Sequence, residues 1–315
     1  MSIAHYIKEI GRGKEGARSL TAAQAHDLMS QLLDGRLSDL EIGAFALAMR
    51  IKGETVEELR GFVDAARERC LPIDADGPTV VLPSYNGARK LPNLTALLAM
   101  LLAQEGVQVL VHGPAHDPGR VTTAEVFFDL GLPIARDAGD VRAAWERREP
   151  VFMRTDVLCP PLARLLDVRR VVGLRNSGHT IAKLLPACDS ALRIVNYTHP
   201  EYATLLADFI AATGADALLM RGTEGEPVAD ARRAPRIDAW LGGLLVGELG
   251  MAAHEGVLTT LPVLPRSQDA ATTACYVQSV VSGAVPAPAP IAGQVETVLR
   301  MLAAMRGRRA RERSA

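Results

Sequence analysis

The sequence predicts an α/β protein in which a small all-helical domain accompanies a larger α/β domain with a mainly parallel sheet. Three observations predict it. Residues 1–70 carry short amphipathic helical patterns separated by short turns. From about residue 79 the rhythm changes to β-branched runs alternating with helical ones, the pattern of a parallel sheet. A chain of 315 residues, 48% apolar and 23% charged, has the length and composition for two ordinary globular domains.

Taken in order, Thr21 with Gln24 three residues on has capping-box spacing, and Leu28, Leu32 and Leu33 give the helix an apolar stripe that Gly35 ends. Ser38 opens a second helix with Ile42, Phe45, Ala46 and Met49 on one face. Thr55 opens a third through Leu59, Phe62, Val63 and Ala66. Pro72 to Pro78 is the expected crossover. Strands are expected at Thr79–Leu82, Val107–Val111, Leu192–Asn196 and Ala217–Met220, with helices near Asn93–Gln104 and Thr123–Leu130. Pro160–Leu185 reads as helical again and as a return to the first domain. Thr259–Leu264 has strand character, confined to an edge by Pro262. After a Pro/Ala connector at Pro286–Pro290, Gln294–Met305 reads as a last helix. The expected domains are therefore 1–72 with about 155–188, then 73–154 with 189–305, followed by a basic tail at 306–315.

Composition narrows the function classes. A formal net charge of -1 gives no global field toward nucleic acid or membrane, so any such affinity has to come from local clustering. There is no stretch of ~18 uncharged apolar residues, so no membrane span is expected. The first ten residues carry Lys8 and Glu9 rather than a signal-peptide run, which makes the cytoplasm the expected location. Cys70, Cys159, Cys188 and Cys275 lie far apart in sequence and read as buried free thiols, neither a zinc site nor a disulfide framework. His112, His116, His179 and His199 form no metal-binding pattern, and nothing activates Cys275 or His254. No catalytic residue, metal site or cofactor is expected.

In parallel α/β sheets, ligands bind beyond the C-terminal ends of the strands, against helix N-termini. Three loops occupy that place: Pro83-Ser-Tyr-Asn-Gly-Ala-Arg-Lys90 with Leu91-Pro-Asn-Leu-Thr95, His112-Gly-Pro-Ala-His-Asp-Pro-Gly-Arg120, and Arg221-Gly-Thr-Glu-Gly-Glu226. With the helical start, they resemble the anthranilate phosphoribosyltransferase family over nearly the whole chain. That resemblance implies a nucleoside phosphorylase/phosphoribosyltransferase class II-like fold. The family's first loop reads Gly-Thr-Gly-Gly-Asp, then Thr-x-Asn-x-Ser-Thr, and holds pyrophosphate and magnesium. Here Asn93 and Thr95 remain, but Ser-Tyr-Asn-Gly fills the glycine stretch. Of the family's Lys-His-Gly-Asn-Arg only His112 and Gly113 remain, and its acidic magnesium pair looks like Thr223-Glu224. Loss of an Asp, a Lys, an Arg and the close-approach glycines removes most of a diphosphate clamp. The resemblance thus implies a vestigial phosphosugar site at Asn93, Thr95, His112, Gly113, His179 and Glu224, with magnesium only if transfer persists.

The segment Arg169 to Lys183 carries Arg175 where the family contacts its aromatic acid. If it is one helix, Arg175, His179 and Lys183 share a face. Residues 151–200 hold seven basic side chains against three acidic, while residues 1–70 hold ten against eleven. Arg-Asn-Ser-Gly-His-Thr, set beside broken phosphoribosyl motifs, is similar to the YbiB-type group of this glycosyltransferase family 3 superfamily. That resemblance implies a homodimer that binds DNA or RNA, and the low aromatic content of 4% makes little sequence preference the expectation. Arg169, Arg170, Arg175 and Lys183, flanked by Arg154 and Arg164, are the expected phosphate contacts. Arg89, Lys90, Arg232 and Arg233 are expected across an interdomain cleft, and Tyr85 and His112 are candidate base stackers. The alternative is a phosphoribosyl transferase with an altered acceptor. A basic helix face also serves simply as a solvated surface. The tail from Arg306 reads as a disordered solubilising segment or as a phosphate-binding arm.

Overall fold

The computed structural model describes residues 2–256 and 261–314. The chain forms two units, Met1–Leu71 with Thr155–Ala187, and Pro72–Arg154 with Cys188–Ala315. The first unit opens with α1 (Ala4–Ile10), α2 (Gly13–Gly16), α3 (Ala22–Leu33), α4 (Asp39–Lys52) and α5 (Val56–Arg67). The second begins with β1 (Thr79–Pro83), α6 (Thr95–Gln104), β2 (Gln108–Gly113), α7 (Thr123–Asp129), β3 (Ile134–Ala135), α8 (Ala138–Glu146) and β4 (Val151–Arg154). The chain returns to the first unit through α9 (Thr155–Leu158), α10 (Pro160–Val172) and α11 (Gly178–Leu184). It then completes the second with β5 (Leu192–Tyr197), α12 (Tyr202–Thr213), β6 (Ala217–Arg221), β7 (Ile237–Leu241), β8 (Leu244–Leu245), α13 (Ala270–Val281) and α14 (Ala289–Ser314).

In the helical unit, Thr21, Ser38 and Thr55 each close a capping box with Gln24, Glu41 and Glu58, which satisfies helix N–H groups that would otherwise lack partners. Glu58 does more. Its buried carboxylate also accepts from Leu20 N at 2.9 Å and pairs with Lys52 Nζ at 2.6 Å, so one side chain joins three segments. Gly61 lets α5 touch α3, because a Cβ there would lie 2.2 Å from the Ala22 carbonyl.

The α/β unit is an eight-stranded sheet of order β3-β4-β2-β1-β5-β6-β7-β8. It is parallel from β3 to β6 and antiparallel at β7 and β8. Val80, Leu82, Val109, Val111, Leu192, Ile194, Leu218 and Met220 alternate along the strands into one core. That core also takes Leu97, Leu98 and Leu102 of α6, Phe127 of α7, Val277 of α13 and Val298 of α14.

Two expectations change. The tail is helical, since α14 runs to Ser314 rather than ending at Met305. Arg308 pairs with Asp216 at 2.7 Å and Arg309 donates to the Ser190 carbonyl at 2.6 Å, so the basic cluster is docked on its own unit and is not a disordered arm. The edge strand expected at Thr259–Leu264 begins outside the described residues, and residues 261–264 have no regular structure. Among the described residues, no helix is long and apolar enough to cross a membrane.

Candidate functional site

Parallel pairing puts the C-terminal ends of β1, β2 and β6 on one edge of the sheet, where the loops after them meet. The Ser84 amide donates to the His112 carbonyl at 2.8 Å, and a Cβ at Gly113 would lie 1.9 Å from the Ser84 carbonyl. Only glycine permits that approach. Past Ser84, backbone N–H groups turn toward the loop after β6, and two carboxylates fill the hollow they make.

Glu226 is the first. Its Oε1 accepts from the amides of Asn86 at 2.8 Å and Gly87 at 2.7 Å. Its Oε2 accepts from Ser84 Oγ, and from Thr95 Oγ1 and Thr123 Oγ1 at 3.4 Å each. The side chain is buried. Glu224 is the second, with Oε2 accepting from the amides of Arg89 at 2.8 Å, Lys90 at 2.9 Å and Leu91 at 3.1 Å. Burial pushes Glu224 upward, but those three amides and the Arg120 charge outweigh it and hold the carboxyl below its usual range. Glu224 also adopts φ 51, an uncommon conformation for a residue with a Cβ. Clusters of backbone amides like these bind anions. Here the anions are the protein's own.

The other residues expected at this site turn inward. Asn93 donates to Thr123 Oγ1 at 3.0 Å and its Oδ1 accepts from the Thr95 amide at 3.2 Å, with both side chains buried. His112 is fully buried, and burial pushes it down to about 3. Its Nδ1 meets the Tyr85 hydroxyl at 2.8 Å, while its Nε2 has no hydrogen-bond partner among the described residues. Tyr85 and His112 are corrected as base stackers, because both rings are sealed in the core of the unit. Between Leu91–Leu94 and Thr223–Arg232 about 10 Å³ remains, scarcely room for one water. Magnesium does not fit this arrangement, since Glu226 Oε1 and Glu224 Oε2 already accept from backbone N–H groups, whose positive ends would face a cation. Among the described residues, no cluster of three or more His, Cys, Asp or Glu could hold a metal ion.

His179 lies in the helical unit. The single helix expected from Arg175 to Lys183 is corrected: α10 ends at Val172 with Gly173, φ +75, as its cap, and α11 starts only at Gly178. The Asn176 side chain forces this break, donating to the Leu165 carbonyl at 2.8 Å and accepting from the Gly178 amide at 2.9 Å. Arg175 therefore sits in the turn, yet its charge still acts on His179. Burial first, then the charge of Arg175, with those of Arg169 and Lys183, push His179 down to about 3 against an opposing hydrogen bond from Asn176. Arg170 is exposed and pairs with Asp167 at 3.1 Å, and Arg164 donates to the Leu33 carbonyl at 3.1 Å.

In the α/β unit, Arg154, Arg89 and Lys90 are exposed. Arg232 is gripped by Asp230 at 3.0 and 2.7 Å, and Arg233 donates to the carbonyls of His254 and Gly256. Sequence reasoning missed Glu226. A second acid two positions beyond Glu224 was visible, but its donors come from residues some 140 positions away.

The helical bundle followed by a mainly parallel sheet defines a glycosyltransferase family 3 fold of the anthranilate phosphoribosyltransferase kind. Residues 4–70 match the glycosyl transferase family, helical bundle domain. Among solved structures, the anthranilate phosphoribosyltransferase of Thermus thermophilus superposes with a TM-score of 0.67 at 19% identity, covering 95% of this chain and 94% of that one. The Saccharomyces cerevisiae enzyme in complex with PRPP and Mg gives 0.66 at 13% identity over 97% and 94%. Among curated relatives, the anthranilate phosphoribosyltransferase of Methanopyrus kandleri is 30% identical over 69% of this chain and 62% of its own length. The uncharacterized protein YbiB of Escherichia coli is 40% identical over 91% of this chain and 90% of its own. The chain belongs to the YbiB-type family within this superfamily.

Proposed function

We propose that this chain binds nucleic acid through its phosphates, as a homodimer with little sequence preference, and does not transfer a phosphoribosyl group. The feature that carries this reading is the run of basic residues around His179, where the charges of Arg175, Arg169 and Lys183 each press its imidazole down. It occurs in a segment, 155–187, whose sequence holds Arg164, Arg169, Arg170, Arg175 and Lys183 against Asp156 and Asp167, with Glu54 reaching it through Ser177 Oγ at 2.6 Å. Such a cluster attracts a polyanion by displacing its counterions, which makes affinity fall steeply with salt. The filled amide hollow points the same way, because a diphosphate would have to expel Glu224 and Glu226 to enter. A homodimer is supported by α4, which presents Leu40 (84% exposed), Leu47 (47%) and Ile51 (54%) along one side. With Ala44 they repeat at helical spacing, and a two-fold contact would cover them twice over.

Family membership favours a second reading, transfer of a phosphosugar to an altered acceptor. It requires the loop after β6 to leave the amides it holds. One experiment separates the two. Labelled single-stranded and duplex oligonucleotides are titrated by fluorescence anisotropy across salt, with phosphoribosyl pyrophosphate plus magnesium tested in parallel by thermal shift. The expected result is oligonucleotide binding whose log–log salt slope shrinks by about two to three in an Arg169→Ala/Arg175→Ala/Lys183→Ala variant. Light scattering should report a dimer that Leu47→Glu/Ile51→Glu converts to monomer. No oligonucleotide binding at low salt, together with stabilisation by the diphosphate, would reverse the assignment.

A further inference from the structure

Two cysteines that lie 89 positions apart in sequence meet in the helical unit. Cys70 follows the last turn of α5, and Cys159 is the residue from which α10 starts. The Leu71 amide donates to the Leu158 carbonyl at 2.7 Å, so the two backbones run side by side there. Both thiols point at the Ala66 carbonyl, Cys70 Sγ at 3.2 Å and Cys159 Sγ at 3.6 Å. Cys159 is fully buried and Cys70 only partly so. The other two cysteines differ: Cys188 is buried with its thiol toward the Asp189 carbonyl at 3.6 Å, and Cys275 is exposed rather than buried as its sequence suggests.

We infer that Cys70 and Cys159 are a redox-active dithiol, closing to an intramolecular disulfide by exchange with a small-molecule disulfide. The juxtaposed sulfurs and the paired backbone at 71 and 158 carry this. The surroundings supply the chemistry. A hydrogen bond from Cys70 lowers the Cys159 thiol despite its burial, helped by the Leu162 amide at the start of α10 and by the charges of Arg69 and Arg164. Thiolates are the reactive form of cysteine, and an electropositive helix N-terminus is where they are favoured. Cys70 supplies the reachable sulfur. Its hydrogen bond to Cys159 and its burial push its own thiol up, so it attacks the small disulfide as the Cys159 thiolate takes its proton, forming a mixed disulfide and releasing one small thiol. Cys159 then attacks Cys70 Sγ and expels the second. Two protein thiols are oxidised to one disulfide, one small disulfide is reduced to two thiols, and the two protons end on those thiols. The bridge would join the chain where it leaves the helical unit to the place where it re-enters, since Leu71 and Thr155 bound those crossings. The dithiol stands whether or not the chain binds nucleic acid.

The test uses the full-length protein with wild-type cysteines, equilibrated in oxidised and reduced glutathione mixtures, alkylated and read by peptide mass spectrometry. A 70–159 cross-link that grows with the oxidised fraction and is reversed by dithiothreitol is expected, with Cys275 carrying only glutathione. In a Cys159→Ser variant, Cys70 should stop at the glutathione adduct. Both thiols staying fully alkylatable in oxidised glutathione, while Cys275 reacts, would overturn the inference. So would cross-links that join Cys70 or Cys159 to Cys275 or Cys188 instead. Circular dichroism of the variant separates loss of the partner from loss of the fold.

Discussion

Glu226 accepts five hydrogen bonds from Ser84, Asn86, Gly87, Thr95 and Thr123, and no local feature of its own segment predicts any of them. Its role is legible only when residues 84–95 and 222–227 are placed side by side. Glu224 was legible from the family spacing as part of a vestigial phosphosugar site, and the structure gives its carboxylate to three amides. Gly225 completes the fit at φ +89, because a Cβ there would lie 1.8 Å from Asn86 Nδ2. Glu226→Ala would strand two buried backbone amides, at a cost of about 2–5 kcal/mol in urea denaturation. Inorganic phosphate or pyrophosphate should then recover part of that loss by occupying the vacated amides, and should leave the parent protein unmoved. An equal response of parent and variant to phosphate in thermal shift would show that the hollow is not an anion site.

Secondary elements were legible where their signals are local. The three helix starts at Thr21, Ser38 and Thr55 are written in residues three apart, and the strands β1, β2, β5 and β6 in β-branched runs. Elements whose apolar positions are few, such as α8 with Val141, Ala144 and Trp145, were passed over, although Asp137 caps that helix through the Asp140 amide. The periodicity from Arg175 to Lys183 misled because helical spacing cannot register a break that an asparagine side chain enforces through Leu165. The C-terminal arginines misled in the opposite sense: a charge run reads as a tail until its partner is known. Asp216 is that partner, 9% exposed and also accepting from the Gly242 amide at 2.7 Å. Arg308→Ala would leave this carboxylate only its longer pair with Arg309 at 3.9 Å and should lower stability by about 1–3 kcal/mol. Arg306→Ala, where no partner is shown, serves as the control; equal urea midpoints for the two variants would mean α14 is not anchored through Asp216.

Across the whole molecule, each unit holds one histidine that its surroundings keep neutral, His112 in the α/β unit and His179 in the helical unit. Both are lowered from 6.5 to about 3. Between those values the unfolded chain takes up protons that the folded chain refuses. The stability they contribute is therefore complete above about pH 6.5 and drains away as pH falls toward about 3, by up to about 2.7 kcal/mol per pH unit if both act. Urea midpoints measured from pH 7.5 down to 4.5 should fall, and Tyr85→Phe/His112→Leu, which removes both ends of that hydrogen bond, should roughly halve the slope. A flat profile would mean that neither imidazole is sealed. The loop that carries Glu224 and Glu226 is held at both ends by paired strands, β6 before it and β7 after it. Its carboxylates are thus tethered ligands, presented to the amides at an effective concentration in the millimolar range or above. A free phosphate compound meets a competitor that never dilutes away, so weak affinity for the old hollow leaves it empty of guests at any modest concentration. On the proposed reading, a competitor attached in this way would release the rest of the fold from the demands of a substrate.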